Sequence, residues 1–276
     1  MEVVLVGNCA PAQELFLVGE AEGLRRGETA GQGQTAFLCC EAEELESRAT
    51  ALARDGADVV LPGWMAACSA ALLRLDAAFS DYGRKLRVLF LERYLSDVRD
   101  VARMLARGNM GRIGMVDFLR AWPCAKQNAL YPLAEGLGVV TGWFGMPQTA
   151  RIYLAQEEQT RCATLTARFA GGELLNLQAV CSPAQRGWDM IYELSGSQGN
   201  LCHDACRARW VRYSNASGDA PAERFALLGT GVCPLRAALR ALPGLLAEQA
   251  PGLDEEARAV AQVVERALGE EAVTDA

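Results

Sequence analysis

Two halves of different pattern place this chain in the α/β plus α+β class: a truncated, Rossmann-like parallel sheet, then an open, mostly antiparallel sheet packed on helices. Three observations lead there. Up to about residue 95, apolar strand-like runs alternate with helix-like stretches, which implies parallel strands joined by crossover helices. Beyond about residue 110, strand-like runs follow one another, several with period-two alternation, across short connections bearing Gly, Ser or Asn, as in antiparallel sheets. The C-terminal stripe of Ala257, Val260, Ala261, Val264 and Leu268 then returns to helix. The division this suggests is 1–95 and 96–276.

In the first half, the strand candidates are residues 2–6, 15–18, 36–40, 58–61 and 86–91. Residues 41–55 carry apolar positions at 45, 49 and 52 with Gly56 placed to stop a helix. Met65, Cys68, Leu72, Leu75 and Phe79 recur at steps of three and four, a second helical stripe. The stretch 20–34, rich in Gly and charge, reads as loop. Residues 96–107 form an amphipathic helix with Val98, Val101 and Leu105 on one face, Ser96 as N-cap and Gly108 beyond the end. The strand runs after it are 114–120, 150–155, 161–170, 174–181, 188–195 and 207–213.

Composition removes several function classes. A net charge of -7 argues against a nucleic-acid surface, which needs clustered cations. No uninterrupted apolar run is long enough to read as a membrane span, and the N-terminus has no basic segment of the kind that opens a signal peptide. The ten cysteines are scattered without CxxC pairing, which suits free thiols and a cytoplasmic protein. Cys202-His203-Asp204-Ala205-Cys206 is too strand-like to converge on a metal, so no metal is expected. The chain has one histidine, His203, and two lysines, Lys85 and Lys126, so histidine or lysine chemistry has few places to reside.

Three local sequences carry a resemblance. Gly108-Asn109-Met110-Gly111-Arg112-Ile113-Gly114-Met115-Val116, Phe144-Gly145-Met146-Pro147, and Tyr192 through Leu201 with its Gly196 and Gly199 fall in order along the second half. They resemble the "G-x-I-G-x-V", "f-G-x-P" and "I-x-G-[ST]-x-G-x-L" segments of the glucose-fructose oxidoreductase / inositol dehydrogenase family (Gfo/Idh/MocA). The resemblance covers residues 36–270 and implies a Rossmann domain, an antiparallel-sheet domain and NAD(P)-dependent oxidoreduction.

The positions that the resemblance makes functional are altered. Where the family has GxGxxG, so that backbone N–H groups approach the pyrophosphate, the chain reads Gly7-Asn8-Cys9-Ala10-Pro11-Ala12. Only the Gly7 remnant survives, with a Cβ at Cys9. Few residues precede the strand at 36–40, so the adenosine half of the site is expected to be missing. The family's "E-K-P" lysine, its proton-transfer residue, falls on Gly63, which cannot transfer a proton. The family's "D-x-G-x-H-x-x-D" helix falls on Tyr131, Glu135 and Gly138. Glu135 is the one weak candidate for a catalytic base, with a helix-surface glutamate as its plainer reading.

These losses lead to a non-catalytic family member, a scaffold, regulatory or heteromer subunit with no cofactor expected, or NAD or NADP should the site be intact. The resemblance implies a homodimer, or a heteromer with a related oxidoreductase, through the open face of the second sheet. Leu165, Phe169, Leu175, Leu177, Met190, Tyr192 and Trp210 lie either on that face or in the core. Alternatives are a sugar-like ligand in a cleft lined by Trp64, Trp122, Tyr131, Glu135 and Trp143, or a redesigned active oxidoreductase.

Overall fold

The computed structural model describes residues 2–7, 19–20, 24–123, 128–185, 189–204, 209–213, 224–226 and 234–269. Two compact units are present: Met1–Tyr94 with Val232–Gln262, and Leu95–Gly231 with Val263–Ala276. Among the described residues, no helix is long and apolar enough to cross a membrane.

The first unit is built on a parallel sheet in the order β14-β5-β4-β3-β1-β2. Its strands are β1 (Glu2–Gly7), β2 (Arg25–Gly27), β3 (Gln34–Cys39), β4 (Asp58–Pro62), β5 (Lys85–Leu89) and β14 (Gly252–Leu253). Val4, Leu5 and Val6, and Phe37, Leu38 and Cys39, are buried without alternation, as strands covered on both faces must be. Helix α1 (Leu45–Arg54) follows β3 and buries Leu45, Ala49, Leu52 and Ala53; α2 (Ser69–Asp81) follows β4 and buries Leu72, Leu75 and Phe79. Gly56, at φ 91, ends α1. The Ala57 N–H donates to Leu52 O at 3.0 Å and the Gly56 N–H to Ala53 O at 3.1 Å, the bond pair of a Schellman cap. The expected strand at 15–18 lies outside the described residues.

Two features of this sheet depart from the sequence reading. The stretch taken as loop contains β2, whose Arg25, Arg26 and Gly27 pair in parallel with Val4, Leu5 and Val6. A charged three-residue edge strand carries no apolar periodicity, so only its pairing reveals it. The second is β14, where Gly252 and Leu253 pair with Lys85 and Leu86, returning residues from the 96–276 stretch to the first sheet. Asp254 secures this return: its carboxylate accepts N–H bonds from Val88 at 2.9 Å and Ala257 at 3.0 Å. Helix α5 (Pro234–Glu248) precedes β14 and α6 (Glu255–Gly269) follows it.

The second unit opens with α3 (Ser96–Ala106). Its N-cap is Leu95 rather than Ser96 and makes no side-chain cap bond; the Asp97 carboxylate instead accepts the Val98 N–H at 2.9 Å. Then come β6 (Ile113–Pro123), α4 (Leu130–Phe144) and β7 (Thr149–Glu157) to β13 (Arg224–Ala226). The eight strands lie in the order β13-β12-β11-β10-β6-β9-β8-β7. Here β8 is Thr160–Arg168, β9 Leu174–Ser182, β10 Asp189–Gly196, β11 Gly199–Asp204 and β12 Arg209–Tyr213. The β6–β9 pair is parallel and the other pairs are antiparallel.

Strand alternation divides this sheet into two faces. Val116, Phe118, Arg120 and Trp122 of β6, Leu175, Leu177 and Ala179 of β9, and Met190, Tyr192 and Leu194 of β10 are buried. Helix α4 lies against this face, and a Cβ at its Gly136 would stand 2.9 Å from Leu177 Cδ1 and 3.2 Å from Arg120 Cγ. The opposite face carries Asp117, Gln178, Ile191 and Glu193, all exposed, with half-buried Met115 and Leu119. Of the apolar residues weighed between open face and core, Leu165, Phe169, Leu175, Leu177, Met190 and Tyr192 are therefore core. The side chain of Trp210 lies outside what is described.

Candidate functional site

In a doubly wound parallel sheet, ligands bind beyond the carboxyl ends of the strands, where the strand order reverses. Here that point is β1, with β2 on one side and β3 on the other. Gly7 ends β1 opposite Cys39 of β3. Its φ is 110, and a Cβ there would stand 1.8 Å from the Cys39 carbonyl oxygen. The glycine is thus fixed by the approach of one strand to the next, before any nucleotide is considered. Asn8, Cys9, Ala10, Pro11 and Ala12 lie outside the described residues. Gly19 is helical and presses on β1, since a Cβ there would meet Leu5 Cδ1 at 2.8 Å.

Beside β1, Val6 pairs with Gly27, so exposed Glu28 follows the end of β2 level with Gly7. Dinucleotide-binding folds keep a ribose-binding carboxylate at this place, roughly twenty residues past the first glycine. Sequence reasoning missed it by reading the segment as loop, although the spacing was countable. Glu28 thus stands where such a carboxylate would stand, at the end of a strand paired with β1.

The carboxyl end of β4 differs. Pro62 closes the strand, and Gly63, Trp64, Met65 and Ala66 are buried in a single 3-10 turn. The position to which the resemblance assigns the family's lysine is a buried glycine. Lys85 stands at the amino end of β5, where its ammonium bonds to the Leu246 carbonyl oxygen. Lys126 lies outside the described residues.

The remaining candidates belong to the second unit. Glu135 is 2% exposed, in a helix buried almost throughout from Leu130 to Thr141, so the helix-surface reading is corrected. Trp122 is in the core at 1% exposure, while Tyr131 is half-buried and Gly138 buried. Trp143 donates its indole N–H to Val98 O at 3.4 Å and lies 5.4 Å, centroid to centroid, from the Tyr192 ring. Trp143 thus joins α4 to α3 and to the sheet.

His203 shares that layer. Its Nε2 is 2.7 Å from an Asp97 carboxylate oxygen, its Nδ1 is 3.3 Å from Met190 O, and its ring stacks on Tyr192 at 4.6 Å. Burial pushes the Asp97 carboxyl up, but the hydrogen bond and charge of His203, with backbone N–H bonds, outweigh it and hold the group below its ordinary range. Burial, then the Asp97 charge, drives the Tyr192 hydroxyl well above its ordinary range. No group of three or more His, Cys, Asp or Glu able to hold a metal occurs among the described residues; Cys206 lies outside them.

No family model matches the chain, and no curated protein matches it. Solved structures do. A dehydrogenase from Chromobacterium violaceum superposes with a TM-score of 0.74 at 11% identity, over 99% of this chain and 95% of that one. An oxidoreductase domain protein from Kribbella flavida gives 0.72 at 14% identity, over 99% and 89%. Biliverdin reductase from Synechocystis sp. PCC 6803, solved with biliverdin and NADP+, gives 0.69 at 16% identity, over 97% and 90%. These are Gfo/Idh/MocA-like folds, so the fold that the three local sequences implied is the fold of this chain.

Proposed function

We propose that this chain is a non-catalytic relative of NAD(P)-dependent oxidoreductases, serving as a scaffold, regulatory or heteromer subunit. One observation carries the reading: the carboxyl end of β4, where the resemblance puts the proton-transfer lysine, is Gly63 inside a buried turn. Among the described residues, the histidine and the lysine that might replace it are engaged elsewhere. His203 is buried against Asp97 and Tyr192, and Lys85 is bonded to a carbonyl at the opposite end of its strand. Without a proton donor or acceptor at the reacting oxygen, reversible alcohol–carbonyl chemistry loses a contribution of about a hundredfold or more.

The reading concerns turnover. Glu28 stands where a ribose contact would be made, so nucleotide binding is measured separately from it. Fluorescence titration with NADH and NADPH measures the binding; following nicotinamide absorbance with a panel of polyols, aldoses and their oxidised forms measures the turnover. The expected result is no turnover above buffer. Substrate-dependent reduction or oxidation of the nicotinamide at ordinary enzymatic rates would overturn the proposal.

The partner surface we assign is the open face of the second sheet, where Leu119 and Ile191 lie side by side on β6 and β10. Half-buried and exposed apolar residues on an uncovered sheet suit a second sheet of like kind. Size exclusion with light scattering gives the oligomeric state, and a strict monomer at high concentration overturns self-association.

A further inference from the structure

We propose that the open face of the second sheet takes a second copy of this chain, about a two-fold axis that runs along β9. The proposal rests on the assignment of that face to a partner, and adds which partner it is and in what register it sits.

The strand register lays the open face out in rows. One row runs Arg151, Thr166, Asn176, Asp117 and Glu193 across β7, β8, β9, β6 and β10, and β9 is the middle strand of these five. In the next row Tyr153 and Ile191 hold the same two ends, and Leu174 stands on β9 in the row on the other side. Tyr153, Leu174 and Ile191 are 49%, 47% and 37% exposed, three of the five large apolar side chains exposed among the described residues. The exposed apolar surface is thus gathered on this face, at the middle strand and at equal distances on either side of it.

Turning a second sheet about an axis along β9 keeps each row level and exchanges its ends, so that β7 of one copy lies over β10 of the other. Tyr153 then meets Ile191 of the second copy, and Leu174 meets its own counterpart. Arg151 meets Glu193 of the second copy, and the two-fold repeats the contact. Neighbouring strands lie about 4.8 Å apart, so both ends of the row stand about 10 Å from the axis. Arg151 also holds an interaction within its own chain; a guanidinium carries several N–H donors, and the contact across the axis adds to that one.

The carboxylates select this axis among others. Asp117 and Glu193 are exposed and directly opposite each other on β6 and β10, where like charges repel. A two-fold along β6 or along β10, or one crossing the strands in this row, would press carboxylate on carboxylate. The axis along β9 sets Asp117 over Thr166 and Glu193 over Arg151.

The test is analytical ultracentrifugation of wild type, Arg151→Glu, Glu193→Arg, an equimolar mixture of these two variants, and Ile191→Glu, with urea midpoints to show that each folds. Either charge variant alone brings like charges together at both copies of the contact, whereas the mixture brings opposite charges together at both. Each variant alone should associate at least about tenfold more weakly than wild type, and the mixture should recover to within about threefold of it. Should Arg151→Glu fail to fold, Glu193→Arg is read against salt: its gap from wild type should shrink as ionic strength rises, and a gap indifferent to salt overturns the contact. Charge variants that associate like wild type, or a mixture that does not recover, overturn this register, while weakening by Ile191→Glu leaves the face assignment standing. A strictly monomeric wild type, or association indifferent to Ile191→Glu, overturns both.

Discussion

His203 Nε2 sits 2.7 Å from an Asp97 carboxylate oxygen, joining the first turn of α3 to β11. The aspartate side chain is 20% exposed and the histidine 7%, so the pair is screened far less than a surface bridge. Because the Asp97 pKa is lowered from its ordinary 3.8, the stability it contributes is present above that value and is lost as pH falls through the folded one. Asp97→Asn is expected to cost about 1.5–3 kcal/mol near neutrality. In urea titrations across pH, the gap between wild type and variant should close below the ordinary carboxylate range. A gap that persists there would mean that the charge on Asp97 is not what stabilises the contact.

Asp254 has the opposite sign. Burial raises its pKa, with the Val88 and Ala257 N–H bonds and the nearby Arg87 opposing. A raised folded pKa means its contribution is full below the ordinary 3.8 and lost as pH rises through the folded value. Wild type should therefore gain on Asp254→Asn as pH is lowered from neutrality towards the carboxylate range. Asp254→Ala, which strands two N–H groups, should cost about 1–3 kcal/mol even at neutral pH. Urea midpoints over a pH series give both quantities.

Gly7 and Gly33 both have positive φ, 110 and 79, but only Gly7 faces backbone, with its Cβ position 1.8 Å from Cys39 O. Gly33 has nothing within 4 Å. Gly33→Ala should cost only about 1 kcal/mol, that of the backbone conformation. Gly7→Ala must separate β1 from β3 and should cost more than about 4 kcal/mol. Thermal melts of the two variants make the comparison. Equal melting temperatures would refute the reading that strand contact, rather than a phosphate loop, holds this glycine.

The sequence pattern disclosed more of the fold than of the site. Continuous apolar runs marked β1 and β4, and the 3.6-residue stripe Leu72, Leu75 and Phe79 marked α2, because burial writes its own period. Arg25–Gly27 and Gly252–Leu253 escaped because strands this short are held by backbone pairing, which leaves no side-chain pattern. Losing β2 meant losing Glu28, the residue that it positions. The place of Gly63 at the end of β4 was readable because it depends only on register after a strong strand. Glu135 was not, since a helix buried all round gives a carboxylate no polar face to mark.

The same alternation that hid the faces of the second sheet now separates them by experiment. Ile191 is 37% exposed and pairs with Leu119, whereas Leu177 is fully buried against Phe118 in the neighbouring register. Ile191→Glu removes apolar surface only where water already reaches, so the isolated chain should unfold within about 0.5 kcal/mol of wild type. On the open-face assignment it should also shift the self-association constant by tenfold or more, as a charge in an apolar contact does. Leu177→Glu buries a carboxylate beneath α4 and should abolish folding whatever the oligomeric state. Analytical ultracentrifugation of Ile191→Glu, with its urea midpoint as the folding control, decides the matter. An unchanged dimer would move the contact off this face, and a lost fold would mean that the face is not open.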